Sequence, residues 1–423
     1  MRHAQRTLAA FVALTLLGVL SLAVSELLPD ERVVDQLVEA RADGVLEDRN
    51  WPRDETGAVV DAFTDCVTLT IGTDLGTDAG FFTRTVEAGY LGDCEELDAN
   101  LDRYVADAPV ERETYARYWH GSTILTRTII GLFGLGTLRV VLSLIVIAGF
   151  ASLFSTIRGL FGGLAATLTL APYVLTTNPL SLPQSTGQAT ATAVGLAGAA
   201  LIARTARDGI TADRVWLSSL LAGSAFTFFD ILTIVPGIWL LGAALLLAVA
   251  VTGGMRWLEA AGWALLCGVA WMVGFVGFWA MKWVVGAIVL GPSDIWDEVS
   301  SAVEQRIAGD DRVDPGPGDA LIANLGEFAV RPLAVPVVLA VAGLVLWTLA
   351  RSTNEERWLR IVLASPAAVP FLWYEFASNH SKIHDWFTYR SIPIALGVAA
   401  FAMVVPLVRI PVDEPAEFDS VTA

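Results

Sequence analysis

The chain has 423 residues, is 54% hydrophobic and carries a formal net charge of −17, with 44 acidic side chains against 27 basic ones. Apolar runs of about twenty residues recur along it, long enough to match the hydrocarbon thickness of a bilayer, and this excludes a soluble single-core protein. No basic patch is present to neutralise phosphates, which excludes nucleic acid as a partner.

In chain order, the apolar runs predict about ten transmembrane helices, near Leu8–Ala23, Thr137–Ile157, Gly159–Thr177, Gly187–Ala203, Val215–Phe229, Ile231–Val251, Trp263–Leu290, Leu333–Ala350, Leu359–Phe376 and Ile392–Val408. The pair on either side of Asp230 also fits one broken helix or a re-entrant hairpin. The expected class is therefore an all-α, polytopic helical membrane protein. Its expected units are a first transmembrane helix (1–25), an extracytoplasmic acidic loop domain (26–120) and a helical bundle (121–290). A second extracytoplasmic loop (291–330), a second bundle with a polar loop (331–409) and a cytoplasmic tail (410–423) follow. Arg2, Arg6, Arg158, Arg204, Arg207, Arg214, Arg256, Arg351, Arg357, Arg360 and Arg409 fall on one side of a ten-span layout. Basic residues beside short loops mark the cytoplasm, so both termini are expected inside a multi-pass cell-membrane protein. The small residues Ala23-Val-Ser25 also resemble a signal-peptide cleavage site, and either reading leaves the next loop outside.

Residues 26–118 hold 23 acidic residues against eight arginines, and residues 291–330 hold nine against two. With 25 arginines and only two lysines in the whole chain, such a surface suits high salt, as in a halophilic archaeon, where dense carboxylates keep the protein hydrated. The competing reading is an ordinary acidic extracellular loop. Apolar spacing at Val33, Val34, Leu37 and Val38, then at Ala62, Phe63, Val67 and Leu69, predicts several short packed helices in the first loop. Residues 309–319 are linker-like in composition. Cys66 and Cys94 share the first loop, where an oxidising compartment permits a disulfide, whereas Cys267 lies in an apolar span. The chain lacks zinc spacing, a phosphate loop, a dinucleotide fingerprint and a nucleophile elbow.

Polar residues near apolar spans carry the candidate chemistry. Asp65, in Phe63-Thr-Asp-Cys66, is positioned to act as a general base or to bind a metal, and Asp61, four residues earlier, is an equal candidate by spacing. For either carboxylate the competing reading is a solvated loop residue. His120, in Tyr118-Trp-His-Gly121, and Arg127 sit at a membrane entrance, where an arginine needs a partner such as a phosphate. Asp230 and Lys282 are ionisable within apolar surroundings; they mark a site, or else are a cap and a snorkelling side chain. His380 and His384 share a face at i, i+4 spacing in Asn379-His-Ser-Lys-Ile-His384, with Lys382 between them and Tyr389 and Arg390 just beyond. Asn379-His-Ser381 is the only glycosylation sequon, and its position beside a helix end predicts that it is unmodified.

Tyr118-Trp-His-Gly121, Phe229-Asp-Ile-Leu-Thr233, Trp279 to Trp283, Trp373-Tyr374, Asn379-His-Ser-x-Ile-His384 and Phe387-Thr-Tyr-Arg390 together resemble a family of polytopic membrane proteins similar to the GT-C glycosyltransferases. The resemblance implies a polyprenyl (dolichyl) phosphate-linked sugar as donor at the outer leaflet, and a glycan, glycoprotein or lipid-linked acceptor. It also implies an acidic residue in the first large loop as catalytic base. Asp30 and Glu31, close after the first helix, match that layout loosely, and Asp65 lies further along. On this reading Arg127, Lys282 or Arg390 holds the donor phosphate, assisted by His120, Asp230, Tyr374, Asn379, His380, His384 and Tyr389. No cofactor is implied, since phosphate is a good leaving group, and a divalent metal stays open. The rival readings are a lipid or polysaccharide flippase and a non-catalytic scaffold for surface-glycan assembly.

Overall fold

A computed structural model describes residues 2–46, 60–73, 79–92, 94, 97–110, 112–230, 232–308 and 316–407. The expected cytoplasmic tail and most of the linker-like stretch lie outside the described residues. Helix α1 (Arg2–Ser25) leads into a loop domain of four short helices, α2 (Asp30–Ala42), α3 (Ala62–Thr70), α4 (Phe81–Glu87) and α5 (Leu97–Val105). Strands β1 (Gly89–Leu91) and β2 (Arg112–Thr114) pair antiparallel there, an element absent from the sequence expectation. The chain re-enters the bundle through α6 (Thr123–Leu125) and a π-helical turn (Thr126–Ile130). It continues through α7 (Gly131–Phe161), α8 (Gly163–Thr177), α9 (Thr186–Arg207), α10 (Ala212–Phe229), α11 (Val235–Thr252) and α12 (Trp257–Val289). Two loop helices, α13 (Pro292–Ala308) and α14 (Asp319–Ala329), precede α15 (Ala334–Arg351), α16 (Asn354–Ala364) and α17 (Val369–Phe376). The chain then turns through α18 (Ser378–Ile383) and α19 (Asp385–Thr388) into α20 (Ser391–Val404).

Seven helical segments among the described residues are long and apolar enough to cross a membrane: Ala4–Ser25, Thr123–Phe161, Thr186–Arg207, Val235–Thr252, Trp257–Val289, Ala334–Arg351 and Asp385–Val404. The other expected spans are helical but differ in form. Helix α8 is apolar and shorter, α10 opens on Asp213 and Arg214, and the stretch Leu359–Phe376 is divided by a 3-10 turn at Ser365–Ala368. Proline at position 366 has no N–H and blocks a continuous α-helix there.

The bundle closes through small residues, as expected where apolar surface by itself does not drive helices together in lipid. A Cβ on Gly223 of α10 would lie 2.1 Å from the Trp271 carbonyl oxygen of α12, and one on Gly274 of α12 would lie 2.2 Å from the Leu220 carbonyl oxygen of α10. Gly397 of α20 meets the Thr169 carbonyl oxygen of α8 in the same way, at 2.0 Å. Only glycine permits these backbone approaches.

The two ends of the bundle differ in chemistry. At one, here termed the loop end, Arg117 pairs with Glu298 at 2.9 Å, the Asn379 amide donates to the Gln305 carbonyl at 2.6 Å, and Asp65 reaches the Thr186 amide at 3.0 Å. The three polar loops therefore pack on one another. At the opposite end Arg6 pairs with Asp213, Arg204 donates to Thr156 at 2.8 Å, and Arg360 donates to the Met403 carbonyl at 2.7 Å. The loop domain is anchored by Val33, Val34 and Leu37 of α2, which share one apolar core with Leu135 and Leu138 of α7. A disulfide joins Cys66 to Cys94.

Candidate functional site

The polar centre at the loop end is built around Asp61. As N-cap of α3, its carboxylate accepts the Thr64 N–H at 3.0 Å, satisfying a helix-end donor as this residue type does at caps. Its second oxygen accepts the amide of Gln188, which α9 carries up from the bundle. The indole of Trp386 and the guanidinium of Arg390 face the same carboxylate. Asp61 is 1% exposed, and burial raises its pKa above the ordinary carboxylate value despite the hydrogen bonds and the Arg390 charge that oppose the shift.

Arg390 caps α20 immediately after the α18–α19 turn. It is 3% exposed, and its Nε and Nη1 have no hydrogen-bond acceptor among the described residues. Tyr173 of α8 lies within electrostatic reach of both Arg390 and Tyr389, and the Tyr389 hydroxyl is buried without a partner. A buried guanidinium left with unmatched donors is costly, which makes this centre receptive to an acceptor-rich anion. A cleft of about 410 Å³ is lined by Val60 and Ala62, the chain neighbours of Asp61, and by Asp65, Arg139, Ser143 and Gln184 among others.

No family model, curated protein or solved structure matches the chain.

The other candidate residues separate into structural clamps and a second polar group. Asp65 is engaged by two nitrogens of Arg139 and by the Thr186 amide, tying α3 to α7 and α9. Arg127 is fully buried, and all three of its guanidinium nitrogens are engaged: by the Ser25, Leu28 and Gly72 carbonyls and by Asp30 at 2.6 Å. Asp30 also takes Arg84 at 3.1 Å. Arg127 and Asp30 thus lock the loop domain onto the re-entry turn, while Glu31 sits exposed on α2. Asp230 folds back to cap the Leu232 and Thr233 amides at 2.8 and 2.9 Å, holding Leu232 at φ 73. The Tyr374 hydroxyl donates to the Thr388 carbonyl at 2.9 Å, which fixes the turn before Arg390.

The Tyr118-Trp-His-Gly121 motif is chiefly a packing hub. The Trp119 indole donates to the Phe278 carbonyl at 2.7 Å and stacks on that ring, and a Cβ on Gly121 would strike Phe228 at 2.4 Å. His120 faces the backbone of Thr85 and the charges of Lys282 and Arg127; burial lowers its pKa to about 3. The Lys282 ammonium donates to the Val86 carbonyl and lies 5.8 Å from the Trp119 ring centroid.

His380 and His384 lie 4.7 Å apart by ring centroid, with His384 stacked on Phe387 at 5.1 Å. The Leu232 carbonyl is only an acceptor, so His380 Nε2 carries the proton it donates there at 3.0 Å, and Nδ1 presents a lone pair with no partner. Burial and the nearby Arg306 charge lower the pKa of His380 to about 3 and that of His384 well below its ordinary value. The charges nearest His120 are thus those of Lys282 and Arg127, and those nearest His380 and His384 include Arg306. Arg306 links the two regions, because its guanidinium carbon lies 5.5 Å from the centroid of the Tyr118 ring.

Sequence reasoning missed Gln188, Arg139, Tyr173, Trp386, Arg306 and Arg331. Arg139 had a signal, since it interrupts an apolar run, whereas Gln188 sits at the polar start of its span. Arg306 and Arg331 had another, being arginines at the loop end against the basic bias of the other end. Among the described residues no group of three His, Cys, Asp or Glu side chains is close enough together to hold a metal ion. This centre sets a buried carboxylate, Asp61, within electrostatic reach of a buried guanidinium, Arg390, whose Nε and Nη1 have no acceptor among the described residues.

Proposed function

We propose that the protein is a multi-pass membrane glycosyltransferase that moves a sugar from a polyprenyl phosphate to an acceptor hydroxyl at the loop end of the bundle. The observation that carries the proposal is a buried Asp61, its pKa raised, within electrostatic reach of a buried Arg390 whose Nε and Nη1 have no acceptor among the described residues. The acceptor oxygen attacks the anomeric carbon as the bond from that carbon to the phosphate oxygen breaks. The departing phosphate takes the electron pair and is stabilised by Arg390, and the acceptor proton passes to the Asp61 carboxylate. The unpartnered Nδ1 of His380 serves in this reading as an acceptor for a sugar hydroxyl. Of the four carboxylates considered as base, Asp61 is preferred because Arg139 holds Asp65, Arg127 holds Asp30, and Glu31 faces solvent.

Ten crossings are part of the proposal, and the contacts between helix ends support them. With ten, the turns holding Asp65 and Thr186, and those holding His380 and Leu232, meet at the loop end. The Arg6–Asp213 and Arg204–Thr156 contacts meet at the other. The arginine bias then assigns the loop end to the extracytoplasmic side and both termini to the cytoplasm. The test is a strain carrying Arg390→Gln, scored by mass spectrometry of its surface glycans and lipid-linked intermediates. Loss of one sugar residue with accumulation of the unextended acceptor is expected. An unchanged glycan profile with the variant folded and inserted overturns the proposal.

A further inference from the structure

The turn between α14 and α15 holds a second buried arginine. Arg331 is 2% exposed and sits one residue after Val330 and two before Leu333, which are 61% and 43% exposed at the head of an apolar helix. Its Nη2 pairs with Glu327 one helical turn earlier, while Nε and Nη1 have no acceptor among the described residues. The guanidinium carbon lies 4.6 Å from the centroid of the Tyr389 ring. Tyr389 precedes Arg390, and its own hydroxyl is buried without a partner among the described residues. Two buried guanidinium groups with unmatched donors thus lie near Tyr389 and Tyr173, Arg331 on the Tyr389 ring and Arg390 within electrostatic reach of Tyr173, as Tyr389 also is, with the exposed apolar side chains of Val330 and Leu333 beside Arg331 in the chain.

We propose that Arg331 is a second arm of the anion site, receiving the phosphate of a lipid phosphate monoester whose chain lies along Val330 and Leu333, and that Glu327 holds its place in the empty protein. The proposal rests on the transferase reading, since it names how the lipid phosphate that departs in transfer is held. A planar guanidinium pairs equally well with a carboxylate and with a phosphate in fork geometry. Glu327 is therefore a built-in competitor: it neutralises Arg331 until the phosphate displaces it. A lysine would supply the charge without the fork.

The full chain in lipid nanodiscs, titrated with citronellyl phosphate, citronellol and inorganic phosphate, tests this. Wild type binds citronellyl phosphate and not citronellol. Arg331→Gln weakens binding about tenfold, the loss expected for one charge-assisted contact. Glu327→Gln, which keeps Arg331, tightens it by removing the competitor, an effect that a merely structural ion pair would not produce. Unchanged or weaker binding in Glu327→Gln overturns the inference, including where Arg331→Gln fails to fold. Inorganic phosphate binding as tightly as citronellyl phosphate overturns the lipid assignment. Loss of binding in Arg390→Gln, with Arg331→Gln and Glu327→Gln like wild type, overturns the role of Arg331 and leaves the transferase reading standing. No binding by wild type overturns both.

Discussion

Asp61 and Asp65 lie one turn apart on one helix, yet their surroundings assign them opposite consequences on mutation. In Asp61→Asn the remaining carbonyl oxygen still accepts the Thr64 N–H, asparagine being about as good an N-cap as aspartate. The Gln188 amide can turn its oxygen toward the new NH₂ group. The raised pKa of Asp61 means that folding disfavours its charge, so a neutral isostere relieves desolvation, and the stability change should stay within about 1 kcal/mol. Activity should fall by about 10²- to 10⁴-fold, the usual loss of a general base. Asp65→Asn instead strips a carboxylate from Arg139, whose side chain is only 19% exposed, and should destabilise by about 3 kcal/mol, the lower end for breaking a buried pair. Surviving folded Asp65→Asn should transfer sugar nearly normally. Thermal unfolding followed by the fluorescence of the 14 tryptophans, with glycan mass spectrometry on the same strains, separates the two outcomes. Wild-type glycans in Asp61→Asn, or a folded Asp65→Asn that is the more inactive of the two, would refute the reasoning.

His120 and His380, each with a folded pKa of about 3, are neutral when folded but protonate near 6.5 when unfolded. Their contribution is thus present above pH 6.5 and is lost as pH falls from there toward 3, by up to about 1.4 kcal/mol per pH unit for each histidine; unfolding curves between pH 7 and 5 should steepen in slope accordingly, and His380→Gln should flatten that dependence. Gly274→Ala, with its Cβ 2.2 Å from a carbonyl oxygen, should destabilise by about 1–3 kcal/mol or more, whereas Gly343→Ala, which meets nothing within 4 Å, should be neutral or slightly stabilising in the same unfolding assay. Asn379 should carry no glycan in a peptide map, because it is 1% exposed and its amide is bonded to the Gln305 carbonyl.

The all-α class with long apolar helices was legible in the sequence because it depends on one-dimensional quantities. Apolar run length against bilayer thickness marked the membrane helices, and seven of them stand as helices long enough to span. Loop composition marked where the polar domain lies, and the two loop cysteines proved to be bonded. His380 with His384, being neighbours on one short segment, could also be read from spacing, since their rings do meet. The role of a charged side chain could not, because it depends on which distant segment arrives beside it. Arg127 looked like a phosphate ligand until Ser25, Leu28, Asp30 and Gly72 closed around it, and Asp65 looked like a candidate base until Arg139 and Thr186 claimed its oxygens. Asp61, equal to it by spacing, was distinguished only when α9 delivered Gln188 and the α19 turn delivered Trp386 and Arg390. Segment length and composition are local, whereas desolvation and hydrogen-bond satisfaction are properties of the packed bundle, and in this protein those two separate Asp61 from Asp65 and Arg390 from Arg127.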